Sequence, residues 1–210
     1  MNSKIILASN SIYRKSVLSD LQIPFCVLPS NADENTDGIE TLEDVPLILA
    51  ERKARAVAKS LSEFSNNSIK NEQIAEAQNC DLILAADTVL LFENKIIGKQ
   101  ATIEQAKKCL QQLNGKSHKV ISALALLNRK NSKLTYRKNT TIVTFKSLKD
   151  KEIDCYLKTG EWQGAAGAYR IQQKGAFFVE KIEGSFTSVA GLPISELYDM
   201  LLAQGYPVWN

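Results

Sequence analysis

Histidine is nearly missing from this sequence: His118 is the only one in 210 residues. That excludes a multi-histidine metal centre, and a histidine-based catalytic triad would have to use this one residue. Cysteine is sparse as well. Cys26, Cys80, Cys109 and Cys155 lie far apart with no C-x-x-C spacing, so they read as small buried hydrophobes in a reducing compartment. No window approaches the roughly 18 apolar residues that a membrane span needs. The apolar run near the start is too short for a signal peptide and has no cleavage pattern. A strong charge of one sign is also lacking. Lys and Arg number 26 against 23 Asp and Glu, a net +3 with no block of cations, which argues against a nucleic-acid partner. There is no internal repeat, and no G-x-G-x-x-G follows the first apolar run, so a dinucleotide-binding domain is disfavoured. What is present, 44% hydrophobic and 23% charged residues, suits a cytoplasmic globular protein, one domain over residues 1–210.

Periodicity predicts alternating strands and helices. Ile5 to Ala8 form a short apolar run that suits a buried strand. Ser9 and Ser11 then offer N-caps to a helix carrying Val17, Leu18 and Leu21 on one stripe. Residues 41–61 read as a helix, with Thr41 and Asp44 as a capping box and Pro46 near the first turn. Residues 62–80 are polar and Asn-rich, a surface excursion with at most one short helix. Residues 81–99 give two apolar runs broken by Asp87-Thr88, with a hairpin-like turn at Glu93-Asn94-Lys95. A helix over 102–115 places Ala106, Cys109, Leu110 and Leu113 on one face. Residues 118–128 and 134–145 read as paired strands, and about 148–158 as a short helix. A glycine-rich stretch with at least one strand precedes a last helix opened by Pro193. Interleaved strands and helices make the class α/β, and the hairpins make the sheet mixed.

Several residues stand out chemically. A strand running into a helix through small hydroxyl residues exposes free N–H groups, an anion site if Arg14 leans over it, or an ordinary capped turn. Asp87 interrupts "LILAADTVLL", where an unpaired carboxylate is costly. It is either satisfied by neighbouring amides or a metal ligand or general base at a strand end facing a cleft. Lys53 lies on the edge of its helix's apolar face and Lys99 follows a strand; each is either solvated or reaches into a cleft. Asp33-Glu34 are paired loop acids, solvated or able to supply oxygen ligands to Mg²⁺. Gly164, Gly167 and Gly175 surround Tyr169 and Gln172, which points either to close backbone approach to something flat or to another strand, or to tight packing alone. Arg14, Lys53 and Lys99, taken as exposed cations, should matter to binding and little to stability.

These pieces match a known pattern in order along the chain. "LASNSIYRK" resembles the S-x-S-P-R-R opening of the Maf family of nucleoside triphosphate pyrophosphatases. "LAERKARAV", "AADTVL" and "IIGKQ" resemble its A-x-x-K-A, D-T-V and G-K-P elements, and "GAAGAYRIQQKG" and "IEGSFTSVAGLP" its last two blocks. The resemblance implies two lobes around a nucleotide-binding cleft, a divalent metal (Mg²⁺ or Mn²⁺) and a homodimer. It makes Asp87 the catalytic acid/base and a metal position with Glu34. Ser9, Arg14, Lys53 and Lys99 would bind phosphates, and Tyr13, Thr88 and Gln172 would set substrate choice. Ile12 and Tyr13 stand where the signature has proline and arginine. Thr88 and Gln172 match members favouring dTTP and UTP. An aromatic Tyr13 leans instead toward members favouring 7-methyl-GTP, which carry tryptophan there. Hydrolysis of dTTP and UTP to the monophosphate and pyrophosphate is therefore expected. The alternatives are 7-methyl-GTP hydrolysis or a non-catalytic nucleotide-binding regulator of cell division.

Overall fold

The computed structural model describes residues 4–64 and 72–209. Its centre is a mixed sheet of β1 (Ile5–Leu7), β2 (Phe25–Val27), β3 (Leu82–Phe92), β4 (Lys95–Ile97), β5 (Ser117–Asn128), β6 (Lys133–Phe145) and β7 (Val179–Glu183). The strand order is β2-β1-β3-β5-β6-β7, with β4 paired to β3. The three strands β2, β1 and β3 run parallel; β3 to β7 pair antiparallel. Helices α1 (Ile12–Asp20) and α7 (Ile194–Ala203) cover one face of the parallel half, and α2 (Val45–Phe64) and α3 (Glu72–Gln78) cover the other. Helices α4 (Ile103–Leu113) and α5 (Asp150–Leu157) form a second lobe with the glycine-rich segment around Leu90, Phe145, Tyr169 and Phe178. The mixed sheet, its flanking helices and the two lobes follow the expected class.

Local chemistry accounts for the boundaries. Thr102 Oγ1 accepts from the Gln105 N–H (3.3 Å) and the Gln105 side chain accepts from the Ala101 N–H (3.0 Å), so the cap satisfies one first-turn amide of α4 and the amide just before the cap. The β3–β4 turn is made by Glu93 and Asn94 at φ 47° and 61°, the left-handed pair a two-residue hairpin needs. Gly175 has no room for a side chain: a Cβ there would lie 2.6 Å from the Arg170 carbonyl oxygen. At Gly175 the close approach is thus one of backbone to backbone, whereas at Gly167 a Cβ would meet the Leu90 side chain.

Four expectations are corrected. Residues 81–99 hold no break at Asp87-Thr88: β3 runs unbroken through both, so Asp87 sits mid-strand and not at a strand end. The ladder to β5 carries it, pairing Asp87 with Ala123 and Thr88 with Ser122. Thr41 makes no side-chain cap bond, because a 3-10 turn, Leu42–Asp44, intervenes before α2 and Asp44 instead binds Lys138 at 2.6 Å. Leu21 lies past the end of α1 and is exposed, and Cys155 is exposed on α5, unlike the other three cysteines. Within the stretch 62–80, α3 is the short helix allowed for, and residues 65–71 lie outside the described residues.

His118 sits inside the second lobe, 3% exposed, with Nε2 on the Tyr169 hydroxyl (2.8 Å) and Phe145 edge-on at 5.0 Å. Burial pushes its pKa down to about 4. Between pH 6.5 and 4 the unfolded chain therefore binds a proton that the folded chain does not. Stability is full above the unfolded value, falls as pH drops through it, and levels off below about 4. Urea unfolding of the wild type should show about 2 kcal/mol lost between pH 7.5 and 5. In His118→Gln that loss should vanish; an equal loss in the variant would assign it elsewhere.

Candidate active site

The opposite edge of β3 from β5 is paired to β1 as far as Leu84 and to β4 only from Leu90. Asp87 stands in the gap between them, where one strand neighbour has ended and the next has not begun. A cleft of about 960 Å³ opens there between the lobes. Every site residue expected from the sequence lines it: Ser9, Tyr13 and Arg14 from the β1–α1 turn and α1, Glu34 from the loop after β2, Lys53 from α2, Asp87 and Thr88 from β3, Lys99 from the loop after β4, and Gln172 from the glycine-rich segment.

Charge is organised around Lys53. Its Nζ lies 2.5 Å from Asp87 Oδ1 and 2.8 Å from Glu34 Oε1, with the Lys53 and Asp87 side chains only 14% and 15% exposed. The Lys53 hydrogen bond, then its charge, holds the Glu34 carboxyl below its usual range, with a smaller contribution from Lys99. Arg14 is tied on two sides. Nη1 donates to Ser9 Oγ (3.0 Å) and Nε to the Gly191 carbonyl (2.9 Å), while its backbone N–H is capped by Ser11 Oγ (3.4 Å). Desolvation pulls the guanidinium pKa down and the field of Asp87 partly offsets it. Gly191, at φ +108°, passes so close that a Cβ would stand 3.4 Å from Thr88 Oγ1 and 3.7 Å from Arg14 Nη2. Of the expected exposed cations only Lys99 is exposed; Arg14 and Lys53 are built into the cleft wall.

Two features had no signal in the sequence. Ser122, fully buried, hydrogen-bonds Thr88. Arg170, also in the cleft wall, is held by the carbonyls of Glu161 and Gln163 at 2.9 and 2.6 Å. Among the described residues no group of three or more His, Cys, Asp or Glu could hold a metal by itself. Glu34 and Asp87 nevertheless converge on one ammonium, so their oxygens can share one cation, and carboxylate oxygen is what hard divalent ions take.

A helix N-terminus, serine hydroxyls, three cations and a carboxylate pair at a gap in an α/β sheet define a class: proteins that bind phosphorylated small molecules in a cleft. The chain belongs to the Maf family, whose model, described as Maf-like protein, matches residues 4–204. The dTTP/UTP pyrophosphatase of Treponema denticola is 40% identical over 205 residues, 94% of this chain and 95% of that one. Those of Pelotomaculum thermopropionicum (36%, covering 98% of both chains) and Halalkalibacterium halodurans (38%, covering 96% of both) are similar. Among solved structures, the Staphylococcus aureus Ham1 protein is a looser match, 15% identical with a TM-score of 0.44 over 68% of this chain and 72% of that one.

Proposed function

We propose that this protein is a nucleoside triphosphate pyrophosphatase that cleaves dTTP and UTP between the α and β phosphates, releasing the monophosphate and pyrophosphate. The observation that carries this is Asp87, a carboxylate held mid-strand at the sheet gap with Lys53 against it and Arg14 and Lys99 in the same cleft. A triphosphate brings about four negative charges, and cations in a cleft that excludes water count for more than they would in bulk solvent. In this reading Ser9, Arg14, Lys53 and Lys99 bind the phosphates, and Asp87 takes the proton of the attacking water. Arg14 reaches a ligand with the guanidinium hydrogens that Ser9 and Gly191 leave free. Glu34 and Asp87 would hold a divalent ion, Mg²⁺ or Mn²⁺, which when bound would neutralise charge on the phosphoryl oxygens. Lys53, whose ammonium now pairs with both carboxylates, would be the cation that pairs with a phosphate. Tyr13, Thr88 and Gln172 face the base, with Tyr13 supplying a stacking surface that discriminates weakly among bases.

The curated relatives being dTTP/UTP pyrophosphatases supports the pyrimidine reading over 7-methyl-GTP. The family resemblance extends the proposal to a homodimer, and the free cysteines fit a cytoplasmic one. No helix among the described residues is long and apolar enough to cross a membrane. The test is kcat/KM for dTTP, UTP, GTP and 7-methyl-GTP by pyrophosphate release with Mg²⁺ and with Mn²⁺. The two pyrimidines should lead. A preference of about tenfold or more for 7-methyl-GTP, about 1.4 kcal/mol in the barrier, would make Tyr13 the better guide, and no pyrophosphate from any of them would leave a binding protein.

A further inference from the structure

Thr88 and Ser122 face each other across the β3–β5 ladder, with their hydroxyl oxygens 2.7 Å apart. Ser122 Oγ in turn lies 2.6 Å from the backbone carbonyl of Ser188. A carbonyl can only accept. Two oxygens that close without a proton between them would repel, so the Ser122 proton is on the Ser188 side. The Ser122 oxygen then meets Thr88 as an acceptor, and the Thr88 proton is drawn to it. Ser122 and Ser188 are both 0% exposed, so no water competes for the Ser122 proton. What Thr88 has left for the cleft is lone pairs.

We propose that Ser122 is a positioning residue for base selection: it locks the Thr88 hydroxyl as an acceptor, so the cleft takes a base presenting a ring N–H over one presenting a bare ring nitrogen. This rests on the reading of the cleft as a nucleotide site with Thr88 at the base. The imide N3–H of uracil and thymine satisfies the Thr88 lone pairs. Cytosine, with the same ring size, presents an N3 lone pair that meets them head-on. Gln172 cannot make this choice alone, because its amide offers a donor and an acceptor and can turn either way. The polarity comes from the group that is fixed. Gly191 runs beside the relay at φ +108°, and a Cβ there would come into contact with Thr88 Oγ1 at 3.4 Å.

The comparison that decides it is the UTP-to-CTP ratio of kcat/KM in the wild type, Ser122→Ala and Thr88→Val. A ratio taken within one preparation is independent of how much of a variant is folded. In Ser122→Ala the Thr88 hydroxyl is free to turn its proton into the cleft. The ratio should fall about fivefold or more, with kcat/KM for CTP rising, an increase that structural damage does not produce. In Thr88→Val the ratio should fall through loss on UTP. An unchanged ratio in Ser122→Ala, or a parallel drop on both nucleotides, overturns the proposal. The same ratio read as Kd for the α,β-imido analogues of UTP and CTP separates the two levels. Selective binding without pyrophosphate release would sink the hydrolase reading and leave the relay standing. Hydrolysis with a ratio indifferent to Ser122 would sink the relay alone.

Discussion

Asp87→Asn is expected to lower turnover on UTP by at least about 10²-fold while the protein stays folded, because the amide keeps the shape of the side chain and loses its charge and basicity. The structure narrows why. Asp87 is held in an unbroken ladder on one side and faces the cleft on the other, so the substitution leaves β3 and its pairing to β5 in place. Lys53 loses one carboxylate and keeps Glu34 at 2.8 Å, so the side-chain cations stay in place and the site should still bind nucleotide at saturating Mg²⁺. The loss should therefore appear in kcat far more than in KM, the signature of a group needed in the transition state. Initial rates of pyrophosphate release, with circular dichroism confirming the fold, read it directly. A folded Asp87→Asn protein with near-normal kcat would remove Asp87 from the chemistry.

Much of the architecture was legible because it rests on periodicity. The α4 stripe of Ala106, Cys109, Leu110 and Leu113 is buried as its spacing requires, and the β5–β6 pair forms where the sequence runs apolar and then resumes after a polar turn. Short elements escaped for a physical reason. β2 has three residues and α6 (Phe186–Val189) four, too few to establish a period, and tertiary neighbours alone hold them. The Asp87 error has a different origin. A charge in an apolar run signals a break only when nothing neutralises it, and Lys53, 34 positions away, does so here. The site residues stood out by type, and the sheet gap that gathers them is topological, invisible to a linear pattern. Cys26 and Cys80 likewise meet with their sulfurs 3.7 Å apart although 54 positions separate them. Ser122 looked like any small residue in a buried strand, since its importance lies in where one proton points.

Lys53→Met is the substitution in which the structure departs most from the sequence expectation. A solvated helix lysine would lower activity and leave stability alone. The Lys53 ammonium is instead the shared partner of Glu34 and Asp87, and Asp87 is too enclosed for water to replace that partner fully. Removing it should lower kcat/KM by about 10²–10³-fold, as loss of a charge-stabilising donor does. It should also destabilise the fold by about 1–3 kcal/mol, the cost of a part-buried polar group left without its bond. The two effects separate in the double variant. Lys53→Met with Asp87→Asn removes the stranded charge, so stability should recover toward wild type while activity stays lost. Lys99→Ala is the control for an exposed cation of the same cleft: activity should fall with the urea midpoint unmoved. A double-mutant cycle on urea unfolding measures the Lys53–Asp87 coupling. Additive stability changes, or Lys53→Met as stable as wild type, would mean that the ion pair contributes nothing to the fold and that the lysine serves the ligand alone.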